Sequence, residues 1–209
     1  MSKALLIGNG PSAIEKEMGK RIDSNEFDKV IRFNRWKFDL DGSEYKEDFS
    51  KYVGTRCDYW VVNDLHITET KLGISKKDLY ELVLAVMPKF KFDKVFVNTI
   101  ESQHTNIEFI PPEYEDDINS IVNFLPKWPS TGVMGMHFAI HHFDEVFLYG
   151  FDSFDVKYDT QHYFEDETAE YGKNKYKLNP ASDHIPLKEK EYINYMVKNN
   201  KLNILWEKQ

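Results

Sequence analysis

Gly8-Asn9-Gly10-Pro11-Ser12-Ala13 sets two glycines and a small hydroxyl after an apolar run and at the start of a helix. Glycine lets backbone approach a ligand, and the first amides of a helix carry partial positive charge, so the segment has the makings of a phosphate cradle. It also fits the dinucleotide pattern G-x-G-x-x-A, a weak signal alone. A nicotinamide binder carries Asp or Glu at the end of its second strand, where this chain has Asn34. A plain tight turn would use the same glycines, and Pro11 suits the first helical position either way. Asn9, Asn34 and Asn63 fall at the ends of three successive predicted strands. One such asparagine is ordinarily a turn former. Three on one sheet edge point to amides that read hydroxyls or a base. Pro129-Ser130-Thr131-Gly132 opens an apolar helix, with Ser or Thr as N-cap and room for an anion at the same amides.

Histidine is the side chain suited to taking a proton near neutral pH. His184 precedes the Pro186-started helix, and Asp183 beside it could orient the ring. Capping or surface exposure is the bland alternative. His162-Tyr163-Phe164 reads, unaided, as an aromatic anchor for a loop. His137 and His141 stand four apart but lack the Glu of a zinc helix, so helix core or surface is the better reading. Asp39-Leu40-Asp41 has the form of a metal-binding pair in a polar loop without a flanking strand, which leaves no convincing metal site.

The elements that must position these groups alternate between strand and helix. Strands are expected at Lys3–Ile7, Lys29–Phe33, Asp58–Val62, Lys94–Asn98, Glu145–Tyr149 and Leu202–Leu205. Helices are expected from Ser75, with Leu79, Leu82, Val83 and Val86 as its apolar face, and over Pro112–Phe124, Thr131–His142 and Pro186–Asn199. In the second of these, Ile118, Ile121, Val122 and Leu125 share the helical spacing. The alternation predicts a single α/β/α sandwich around a mostly parallel sheet, with ligands at the carboxyl ends of the strands. Lys37–Val53 and Asp155–Asp183 read as irregular and polar, and the second has the length of a lid.

Composition narrows the function. The 209 residues suit one domain, and 41% hydrophobic with 15% aromatic content supplies a core. With 27 Lys and Arg against 35 Asp and Glu, the net charge of −8 disfavours a nucleic-acid footprint. No apolar run approaches the roughly 20 residues of a membrane span, and the first eight residues are too short a run for a signal peptide. Cys57 stands alone, so no intramolecular disulfide or Cys-rich metal site is possible. A cytoplasmic location is the expectation.

Taken in order, several segments resemble a known family. Leu5-Leu6-Ile7-Gly8-Asn9-Gly10, Gly19, Ile22-Asp23-Ser24, Phe27-Asp28, Val30-Ile31-Arg32-Phe33-Asn34-Arg35 and Gly54-Thr55-Arg56 resemble the large motif of the sialyltransferases, glycosyltransferase family 29. Pro129-Ser130-Thr131-Gly132, Ala139-Ile140-His141, Asp144-Glu145-Val146 and Tyr149-Gly150-Phe151 resemble its small motif. His162-Tyr163-Phe164 is similar to its third motif, and His184 with Glu189 to its very small motif, H-x-x-x-x-E. The G-N-G-P-S opening is also similar to bacterial CMP-sialic-acid transferases.

The resemblance implies a Rossmann-like, GT-A-like catalytic domain over residues 1–209 with a lid at about 155–183. It implies inverting transfer of an acidic sugar, sialic acid above all, from its CMP donor to a glycan hydroxyl, without metal or other cofactor. A lipooligosaccharide or capsule is the kind of acceptor it implies. By similarity His184 is the base. Gly8, Asn9, Gly10, Ser12, Asn34, Asn63, Ser130, Thr131 and Gly132 would hold CMP and donor. Gly150, Phe151 and Asp152 would meet ribose and cytosine, and His162 and Tyr163 the leaving phosphate. A CMP-Kdo transferase shares the motifs. A silent nucleotide-binding relative is the reading from another class, and the retained His184 argues against it.

Overall fold

The structure is a computed structural model and describes residues 1–34, 36, 48–63, 80–86, 98, 106–153, 157, 160, 162–163 and 185–205. Seven strands form one sheet: β1 (Lys3–Ile7), β2 (Lys29–Phe33), β3 (Tyr59–Val62), β4 (Leu82–Ala85), β5 (Ile107–Phe109), β6 (Glu145–Tyr149) and β7 (Asn203–Ile204). Their order is β5-β4-β3-β2-β1-β6-β7, with every neighbouring pair parallel. Such strands are buried on both faces and read as continuous apolar runs, as Ala4-Leu5-Leu6-Ile7 does.

Alternate residues feed two layers. Ala4, Leu6, Ile31, Phe33, Val61, Leu84, Val146 and Leu148 pack on the side of helices α3 (Glu113–Ile121), α4 (Thr131–His142) and α5 (Pro186–Lys198). Leu5, Ile7, Val30 and Tyr149 face a 3-10 turn (Pro11–Ile14) and the short helices α1 (Gly19–Ile22) and α2 (Ser50–Val53). The expected α/β class and parallel sheet are therefore found.

Three expectations need correction. Leu82-Val83-Leu84-Ala85 is a strand, not part of a helical face. A short apolar run buried on both sides gives no period that separates the two. Ile107–Phe109 adds an edge strand the sequence reading missed. Of the expected strand Lys94–Asn98, residues 94–97 lie outside the described residues, and Asn98 is helical. Helix α3 stops at Ile121, and Leu125 is 62% exposed rather than part of its apolar face. Pro126 follows it, and a residue before proline avoids helical backbone.

The chain order reverses beside β1: β2 to β5 lie on one side of it, β6 and β7 on the other. In open parallel sheets the crevice for ligands opens at such a switch point, beyond the carboxyl ends of the strands. Here that switch point falls between β1, followed by Gly8, and β6, followed by Gly150.

Candidate functional site

The three asparagines do share one edge, because β1, β2 and β3 are adjacent. They are also linked. Asn9 Nδ2 donates to the carbonyl of Phe33 at 3.0 Å, and the next residue, Asn34, accepts the amide of Asn63 on its Oδ1 at 3.2 Å. Asn34 has a φ of 46°, a left-handed conformation that asparagine tolerates better than most residues. Its carbonyl accepts from Trp60 Nε1 at 2.9 Å, which fixes the turn after β2.

The glycine turn closes on β6. Gly8 donates its amide to Tyr149, Gly10 to Gly150, and Ser12 to the Asp152 carboxylate. A Cβ at Gly8 would overlap the Gly150 carbonyl, and one at Gly10 would overlap the Asp152 carboxylate. The glycines thus permit close approach of two loops across the switch point. Three amides that sequence pattern offered to a phosphate are already paired within the protein. Burial raises the pKa of Asp152, and its bonds with Ser12 pull it back.

Among the described residues, the amides without an acceptor lie at the start of α4 instead. Ser130 caps that helix, its hydroxyl accepting from Val133 N at 3.3 Å. The amides of Thr131 and Gly132 donate to no acceptor among the described residues. These are the first amides of a 12-residue helix, whose dipole favours negative charge at that end. Gly132 sits against the ring of Phe151, and that ring packs edge-on against Phe33 with centroids 5.4 Å apart. The helix N-terminus, the loop after β6 and the asparagine row are therefore contiguous.

Glu189, from the first turn of α5, lies beside Ser130 at the same end of α4, and burial pushes its carboxyl up to about 8. It is 6% exposed, and its Oε1 has no partner. The H-x-x-x-x-E spacing marked this residue, but only the fold shows what it faces.

Tyr163 is 5% exposed, its ring edge-on to Phe49 and its amide donating to the Asn9 carbonyl at 2.9 Å. It anchors its segment to the end of β1. His162 beside it is half-buried. His184, Asp183, Arg35, Asp39, Asp41 and nearly all of 155–183 lie outside the described residues. Among the described residues, no three His, Cys, Asp or Glu side chains gather as metal ligands. No helix among them is long and apolar enough to cross a membrane.

Much of the large-motif pattern braces the site from below. Asp23 accepts the amides of Thr55 and Arg56, and Arg56 bonds the carbonyls of Ser24, Phe27 and Asp28. Arg32, fully buried, donates to the carbonyls of Arg56 at 2.7 Å and Val53 at 2.5 Å and stacks over Trp36. Sequence reasoning gave Arg32 no such part, since arginine in a strand is ordinarily an exposed edge residue.

A parallel α/β sheet with a helix N-terminus beside its switch point is the architecture in which ligands sit beyond the carboxyl ends of the strands. The profile of glycosyltransferase family 29 (sialyltransferase) matches residues 2–201, and the chain belongs to that family. It is 26% identical over 187 residues to the mouse (Mus musculus) CMP-N-acetylneuraminate-beta-galactosamide-alpha-2,3-sialyltransferase 1, a match covering 80% of this chain and 49% of the mouse protein. The chain thus spans about half the length of that curated relative. Its fold is similar to the crystal structure of a mammalian sialyltransferase in complex with Gal-beta-1-3GalNAc-ortho-nitrophenol. The TM-score is 0.64 at 20% identity, over 99% of this chain and 70% of the other.

Proposed function

We propose that the protein transfers sialic acid from CMP-sialic acid to a glycan hydroxyl, by a single inverting displacement and without a metal ion. The observation that carries this reading is the pair of amides at Thr131 and Gly132 that donate to no acceptor among the described residues, behind the buried cap Ser130 and beside the asparagine row. A nucleoside monophosphate leaving group is a compact anion that a helix N-terminus can stabilise, whereas a pyrophosphate usually calls on a divalent ion. Asn9, Asn34 and Asn63 supply amides for the nucleoside and the sugar. Gly8, Gly10 and Ser12 form the floor beneath them, and Gly150, Phe151 and Asp152 the wall toward ribose and cytosine. His162, beside the buried anchor Tyr163, meets the leaving phosphate. His184 takes the acceptor's proton as its oxygen attacks the anomeric carbon. The segment 155–183 covers the donor and keeps water from it. The acceptor is a glycan of the kind borne by lipooligosaccharide or capsule, met in the cytoplasm.

The test joins binding to transfer. At about 100 times its dissociation constant, CMP should add about 2.7 kcal/mol of stability, while UDP and NAD add none. With CMP-sialic acid and a galactose-terminated acceptor, CMP release should survive EDTA. Stabilisation by NAD or UDP and not by CMP would overturn the reading. Turnover with CMP-Kdo alone would move the donor. Activity lost to EDTA and restored by magnesium would replace the metal-free mechanism.

A further inference from the structure

Arg32 and Trp60 stand opposite one another on the adjacent strands β2 and β3. Arg32 is fully buried, and no carboxylate pairs with it among the described residues. Its Nε and Nη2 donate to the carbonyls of Arg56 and Val53, and Nη1 has no hydrogen-bond partner. What meets the charge is the ring of Trp36, whose centroid lies 4.4 Å from the guanidinium carbon. A guanidinium out of water gains more from an aromatic face than a hydrated one does, so cation and ring fix each other in place. Trp36 is thereby held on the apolar cluster of Trp60, Val62, Val83 and Ala85.

Two tryptophans then close on one atom. The Asn34 carbonyl accepts from the Trp36 amide at 3.1 Å and from Trp60 Nε1 at 2.9 Å. These bonds fix the peptide that follows Asn34, the residue whose φ is 46°. A left-handed asparagine is held against its own backbone preference and persists where its surroundings over-determine it. The side chain is fixed in turn. Its Oδ1 accepts the amide of Asn63 at 3.2 Å, and its Nδ2 donates to no acceptor among the described residues. The amide thus has its acceptor engaged within the protein and its N–H groups left to offer.

We propose that Trp36 is a positioning residue of the donor site: its ring, seated on the Arg32 guanidinium, holds Asn34 in the left-handed conformation that keeps Nδ2 for the donor. This rests on the reading above that the site takes CMP and that Asn34 meets it. Without the ring, the Trp36 amide is released from the Asn34 carbonyl, and Asn34 relaxes toward extended backbone.

The test is a double-mutant cycle on CMP affinity, measured by calorimetry on proteins whose melting shows them folded. Trp36→Ala should weaken CMP binding by about 3- to 100-fold, the coupling found within one contact network. Trp36→Phe keeps an aromatic face and should lie between Ala and the wild type. In the Asn34→Ala background either Trp36 substitution should cost less than about twofold more, because no Asn34 side chain is left to place. A residue that merely supports the fold would lower affinity by the same factor in both backgrounds, and that result overturns the proposal. So does a folded Trp36→Ala protein that binds CMP as the wild type does. If the Ala protein does not fold, Trp36→Phe carries the cycle, and equal losses in both backgrounds, or none in either, overturn the proposal. An Asn34→Ala protein with wild-type affinity leaves the ring nothing to position; the proposal then falls while the CMP reading stands. A wild type that binds no CMP overturns the reading of the site, and the proposal with it.

Discussion

Asp152 Oδ2 accepts the backbone amide of Ser12 at 2.9 Å, so a carboxylate of the protein holds the position a phosphate takes in a dinucleotide-binding turn. The ends of β1 and β6 are tied together by it. Asp152→Ala strands that amide and should cost about 1–3 kcal/mol in urea melts. Asp152→Asn keeps an acceptor and should cost less. Equal destabilisation by the two would show that the charge, and not the acceptor, makes the tie.

Asn34 combines a strained backbone with a side-chain contact, and two substitutions separate them. Asn34→Gly relieves the φ of 46° and loses Oδ1 as acceptor for Asn63, while Asn34→Ala loses the contact and keeps the strain. The Gly protein should melt above the Ala protein, with CMP affinity reduced in both. If the Gly protein binds CMP as the wild type does, the amide side chain has no part in donor binding.

His137 is buried between α4 and α5, with Tyr192 on Nδ1 and no hydrogen bond on Nε2. Burial, with His141 nearby, pushes its pKa down to about 4. The folded state therefore holds the neutral ring and the unfolded chain takes the proton first. Stability from this group is complete above the ordinary value near 6.5 and is lost as pH falls toward 4, by on the order of 3 kcal/mol. His137→Phe should be less stable than wild type at pH 7, because the Tyr192 hydroxyl loses its partner, and the gap should close toward pH 4.5. A constant gap across that range would place the titration elsewhere.

For His184 the informative measurement is paired. His184→Gln should lower transfer by roughly 10²–10⁴ and leave CMP affinity nearly unchanged, since a base meets the acceptor and not the nucleotide. Near-normal transfer by the folded variant would pass the role to another group such as Asp183 or His162.

The strands that flank the switch point were legible in the sequence because Lys3–Ile7, Lys29–Phe33 and Glu145–Tyr149 are apolar runs bounded by turn residues. The asparagine row followed from them, since residues at the ends of adjacent parallel strands must neighbour one another. Leu82–Ala85 misled because its alternation feeds two buried layers at once. The glycine turn was legible only in part. Gly8 and Gly10 have the right spacing for a phosphate, and only the position of Asp152, 140 residues beyond Ser12, shows what fills it. Glu189 sits in a helix whose charged neighbours Lys188, Lys190 and Glu191 make it read as one more solvated charge.

The central strand of this sheet also bears on how the chain is made. Strand β1 lies between β2, paired through Leu5 and Val30, and β6, paired through Leu5 and Phe147. Its second partner is not available until some 142 residues have followed Ser2, as the Ser2–Asp144 bond measures. A chain emerging from the ribosome can therefore assemble β1 to β5 while one edge of β1 stays open, its backbone amides and carbonyls without their β6 partners. Contacts of such long range are slow to close and leave an apolar edge exposed meanwhile. The contact of Gly8 and Gly10 with Tyr149 and Gly150 forms only at that final docking, so a nascent or prematurely ended chain would hold secondary structure without the joined strand ends at the switch point.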